Sequence, residues 1–139
     1  MLSRRRLRRQ KPRNRSGAAV VEFAVISPVF VAILLGTIEA CSMIFLRQTT
    51  ELAAFEAARV AIVKDTKSDQ VQQAAKNVLD TRKVKKYNIT ITPTDFQAAA
   101  YGTYIRVEVS APCGDNSLIP VMFYSGQTIV GQVEMMKEY

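Results

Sequence analysis

Histidine is absent from this chain, and so is tryptophan. Without an imidazole, the usual proton shuttle near neutral pH and the triads built on it are missing, so an enzyme is not expected. Cysteine is scarce: Cys41 and Cys113 are too few and too far apart for a zinc site. Neither a metal nor a cofactor is expected. The two cysteines leave open a disulfide in an oxidising compartment, with two unrelated small apolar side chains as the simpler reading. Acidic residues are missing from residues 1–17, where eight of the 19 basic side chains lie: Arg4, Arg5, Arg6, Arg8, Arg9, Lys11, Arg13 and Arg15. The other 11 basic side chains face 12 acids, so the rest of the chain balances at −1 and the net +7 belongs to one arm. A basic domain face is thereby excluded. An arm of this composition also occurs in nucleic-acid-binding tails, but no aromatic or folded reader accompanies it, so no nucleic acid is expected as partner.

The next absence organises the chain. Between Glu22 and Glu39 no side chain carries a formal charge, from Phe23 to Ile38. As a helix this run covers roughly 24 Å. Ala18–Val21 and Ala40–Leu46 extend it towards the roughly 30 Å hydrocarbon core of a bilayer. The run is too long and too apolar all round for a core helix with a polar face. A membrane-spanning helix is expected over residues 18–46. The basic arm before it then lies on the cytoplasmic side, against anionic headgroups. An ordinary secretory signal is disfavoured, because the apolar run exceeds an h-region and no small-x-small site stands at its far end. The small residues stand in front instead, at Ser16-Gly17-Ala18-Ala19. A cut there removes the arm and leaves the span, and glycine offers a flexible peptide that resists helix formation.

These residues carry a resemblance. Gly17 followed by Ala-Ala-Val-Val-Glu-Phe resembles a class III prepilin signal, in which a prepilin peptidase cuts after the glycine. Three motifs follow in order: Gly-Ala-Ala-Val-Val-Glu-Phe-Ala-Val-Ile-Ser-Pro, then Leu-Leu-Gly-Thr-Ile-Glu-Ala, then Ala-Ala-Phe-Glu-Ala-Ala-Arg-Val-Ala. Together, over residues 16–63, they resemble TadE-like minor pilins, the pseudopilins of the tight-adherence (Flp) pilus system. The chain departs from the common pattern of that family at Cys41 and Ser42, where a Phe-Gly-like pair is usual. The resemblance implies cleavage between Gly17 and Ala18, an inner-membrane subunit of a bacterium, and a role in pilus assembly. It implies as partners the prepilin peptidase, other pilin or pseudopilin subunits with the assembly machinery, and membrane lipid.

Glu22 is the fifth residue after that junction. A carboxylate this deep in an apolar helix is costly unless it is paired or interfacial. The resemblance assigns it a pairing with the new α-amine of Ala18 on a neighbouring subunit, which would set register. Headgroup solvation is the plainer alternative. Pro28 removes the helical bond to the Ala24 carbonyl and is expected to bend the span, with Ser27 available to the freed group. Gly36 would permit a close helix approach. Glu39 is expected at the outer headgroups, about 32 Å from Ala18, and by resemblance is a candidate contact to a partner helix.

Beyond Arg47 the same helix is expected to continue as a spine. Leu52, Ala53, Phe55, Ala58, Arg59, Ile62 and Val63 recur near the helical period. Glu51, Glu56 and Arg59 are spaced for pairs along one face; they read first as surface or packing charges, with Arg59 a candidate partner contact. A second helix is expected over about residues 69–82, capped by Asp65 or Ser68, burying Val71, Ala74, Ala75, Val78 and Leu79. Alternation predicts strands at residues 88–92, 103–110 and 128–136. The stretch from Leu118 to Tyr124 would lie back across the spine or form a partner surface. The expected architecture is α+β and pilin-like: a long N-terminal transmembrane/spine helix, a second helix and a small antiparallel sheet of about three strands. Residues 1–17 form a leader, 18–46 the span and 47–139 an extracytoplasmic domain. Two rivals stand beside the pilin-like reading: an uncleaved single-pass membrane protein with an outer binding domain, and a membrane-tethered nucleic-acid binder.

Overall fold

The computed structural model describes residues 15–138. The arm from Arg4 to Arg13, with the cytoplasmic and nucleic-acid expectations attached to it, lies outside the described residues. Helix α1 runs over Arg15–Ala61 with Pro28 inside it. Helix α2 covers Ser68–Thr81, followed by strand β1 (Asn88–Thr92), strand β2 (Tyr104–Pro112), the single turn α3 (Cys113–Asn116) and strand β3 (Thr128–Met136). The sheet is antiparallel in the order β1-β2-β3, so each strand pairs with its neighbour in sequence. This is the expected α+β architecture, and the three strands lie where alternation of side chains put them.

The chain forms two units, Met1–Leu34 and Leu35–Tyr139. In the first unit, the large apolar side chains from Val20 to Leu34 are all exposed. In the second, β2 sends Ile105, Val107, Val109 and Ala111 inward, all fully buried, while Tyr104 and Arg106 face out. The outward Arg106 sits opposite Glu134 of β3 and donates from Nε to its Oε1 at 2.7 Å.

The second half of α1 departs from the face expected of it. Leu52, Phe55 and Val63 are exposed, whereas Ala53, Ala54, Ala57, Ala58 and Ala61 form the buried stripe. Steric room decides this. A Cβ at Gly131 in β3 would lie within van der Waals distance of the backbone of Thr50 and Glu51, so sheet and helix approach to contact. Only methyl-sized side chains fit such a gap, and alanine is also the best helix former.

Helix α2 packs Val71, Ala75 and Leu79 into the same core, with Val78 alongside them. Neither Asp65 nor Ser68 caps it: Lys67 holds the N-cap position, and the side chain of Gln70 accepts the Lys67 N–H at 2.9 Å. That is the half of a capping box that the third helical residue supplies. Asp65 lies in the turn before it, at φ 61.

Candidate functional site

The residues singled out by sequence all lie on or against α1. Gly17 and Ala18 are helical and exposed, and a Cβ at Gly17 would meet nothing within 4 Å. The expected loose peptide is thus the first turn of a helix. Its leading N–H groups have no intrahelical acceptor to lose, so a glycine there costs little, and the turn opens easily. Glu22 is exposed one turn further on.

Beside Pro28, the Ser27 hydroxyl donates to the Ala24 carbonyl, the acceptor that Pro28 cannot reach, at 3.5 Å. That distance makes a weak bond. The bare apolar stretch from Ala18 to Leu34 measures about 26 Å at the helical rise, close to the thickness of a hydrocarbon core. Helix α1 is long and apolar enough to cross a membrane.

Glu39 differs most from expectation. It is fully buried, not set among headgroups. Its Oε1 accepts the N–H groups of Met122 at 3.1 Å, Phe123 at 2.9 Å and Tyr124 at 2.9 Å, and Oε2 lies 3.2 Å from the Phe123 nitrogen. Three successive backbone donors form a nest around the carboxylate, a favourable setting for a buried anion. The segment from Leu118 to Tyr124 lies back across the spine by this contact. Glu39 is therefore an internal clasp between α1 and this loop. Gly36 takes part too: a Cβ there would stand 3.4 Å from the Phe123 ring. Its small size makes room for this loop, where a neighbouring helix had been expected.

Cys41 is exposed and Cys113 is buried, and both are free thiols. The disulfide does not form. Cys41 looks outward from α1, while Cys113 starts α3 inside the core, where burial pushes its thiol above the ordinary range. Ser42, the other departure from the family pattern, is buried and donates to the Ile38 carbonyl at 2.9 Å. Arg59 stands on the exposed face of α1 together with Gln48, Leu52 and Phe55, at helical spacing. Glu51 makes an i, i+4 pair with Arg47, at 2.9 Å.

Three anchoring residues escaped the sequence. Gly131 admits the helix. Asn116 acts as a surrogate strand: its Oδ1 accepts the Lys85 N–H at 2.6 Å while its Nδ2 donates to the carbonyls of Lys85 and Pro112 at 2.9 and 2.8 Å. Lys137, nearly buried, donates from Nζ to the carbonyls of Phe96 and Gln97 at 3.0 and 2.8 Å. No group of three or more metal-ligating side chains occurs among the described residues.

Residues 17–59 match the family model described as TadE-like protein. No curated protein and no solved structure matches the chain. The matched segment opens at Gly17 and covers Glu22, Pro28, Glu39 and Arg59, the same residues that the motifs single out. Over that segment this chain is similar to the TadE-like proteins, which points to a membrane protein associated with the tight-adherence pilus.

Proposed function

We propose that this chain is a prepilin-like subunit, inserted in the bacterial inner membrane with its basic arm in the cytoplasm. A prepilin peptidase cuts it between Gly17 and Ala18, and it serves pilus assembly as a minor component. It is a substrate of that peptidase and catalyses nothing itself. The observation that carries this lies on the N-terminal half of α1: an exposed small-residue junction at Gly17 and Ala18, an exposed carboxylate one turn later, then large apolar side chains exposed from Val20 to Leu34. Removing the arm would leave an α-amine on Ala18 and a carboxylate on Glu22, one helical turn apart. Between parallel neighbours in a medium of low dielectric, that amine and carboxylate attract strongly and would fix the step from subunit to subunit. The stripe of Leu52, Phe55 and Arg59 is available for a further contact to pilin or assembly partners.

The test is the N-terminal residue of the membrane-bound protein, read by mass spectrometry with and without a prepilin peptidase. A chain beginning at Ala18 only with the peptidase, and blocked by Gly17→Trp, supports the proposal. An intact arm in both samples overturns it and leaves the uncleaved single-pass protein.

A further inference from the structure

The second unit carries a groove of about 800 Å³ beside α1. Its walls are mostly apolar, with Ile38, Cys41, Phe45, Leu46 and Leu118 among them. Arg82, Lys83 and Lys85, all exposed, stand along one edge. The Arg82 guanidinium lies 5.2 Å from the centre of the Phe45 ring, so a cation borders the apolar wall directly. The one acid in the lining, Asp115, is held by Lys86 at 2.8 Å, so the edge keeps its positive character. The first groove residue, Thr37, follows Leu34, the last of the bare apolar stretch, by less than one helical turn. Leu118, Met122 and Phe123 expose further apolar surface on the loop clasped by Glu39.

We infer that this groove seats one anionic phospholipid, an acyl chain against Phe45 and Leu118 and the phosphate against Arg82, Lys83 and Lys85. An apolar wall edged by three cations fits an amphiphile with a negative head, and the groove is walled in part by α1, the helix long and apolar enough to cross a membrane. An apolar peptide or a second helix would satisfy the wall and leave the cations unanswered. The inference goes beyond pilus assembly and rests only on α1 being in a bilayer.

The experiment uses the full chain in nanodiscs of equal phosphatidylcholine and phosphatidylglycerol, released into native mass spectrometry. Wild type is expected to retain one phosphatidylglycerol in preference to phosphatidylcholine. Joint replacement Arg82→Gln, Lys83→Gln and Lys85→Gln should lower that retention about tenfold. Cys41→Phe, which fills the groove and leaves every charge in place, should lower it as well. Unchanged retention in both variants would overturn the proposal and assign the lipid to the basic arm. So would equal retention of phosphatidylcholine, or lipid-free dimers in which a second copy covers the groove. A chain that never enters the nanodisc overturns the membrane reading itself, a result distinct from insertion without bound lipid.

Discussion

At the scale of single residues, the buried polar groups decide the most. Glu39→Gln keeps the shape of the side chain but replaces an anion ringed by three donors with a neutral amide. The backbone amides of Met122, Phe123 and Tyr124 should then exchange with deuterium about tenfold faster, the worth of roughly one charge-assisted bond, while those of β2 stay unchanged. Lys137→Met removes two bonds from a nearly buried ammonium to the carbonyls of Phe96 and Gln97. It should cost about 2 kcal/mol in urea unfolding. Arg106→Ala breaks an exposed pair with Glu134, and should cost under about 1 kcal/mol by the same measurement. Tyr87 gives a pH signature. Burial first, and then the Asp80 carboxylate that accepts its hydroxyl at 3.0 Å, push its phenol above the usual value. The unfolded chain therefore ionises first as pH rises past about 10. Stability from this group is complete below that pH and is lost above it. Tyr87→Phe should flatten the alkaline fall of the urea midpoint.

At the scale of elements, what could be read from sequence depended on how local the cause was. Alternation in Asn88–Thr92 and Thr128–Met136 is a property of adjacent residues, and those strands stand where it put them. The inward face of α1 could not be read in the same way. Large side chains at helical spacing point to Leu52 and Phe55, but the gap is set by Gly131, some eighty residues later, and only alanines fit. Gly131→Val should accordingly cost about 3 kcal/mol or more, seen as a lower thermal midpoint with the bare half of α1 still helical by circular dichroism. Glu39 was opaque for a related reason. Its partners are main-chain N–H groups, which no residue type advertises, on a loop more than eighty positions away. The motifs at Gly17, Glu22 and Pro28 are defined by their neighbours along the chain, and all three fall inside the segment that matches the family model. The cysteine count left a Cys41–Cys113 bond open because it says nothing about which way each one faces; here one is exposed and the other buried.

At the scale of the whole molecule, the division at Leu34 separates two kinds of apolar surface. From Val20 to Leu34 the large side chains are bare; after Leu34 apolar side chains are gathered into a core of α1, α2 and the sheet. A chain starting at Leu35 should therefore fold alone, unfolding cooperatively in urea with its strand signal intact, and should no longer sediment with membranes. Loss of cooperativity in that fragment would mean that the compact unit depends on the bare helix.

Glu39 grips the main chain of residues 122–124, and the side chains there take no part in the grip. Away from Phe123, whose ring lies against Gly36, the loop is consequently free to drift in composition among descendants of this gene while keeping its course, with one residue barred. A proline at position 122, 123 or 124 would delete a donor from the ring. The visible face of the loop could be rewritten many times over, to meet new surroundings or escape recognition, on an attachment that never changes.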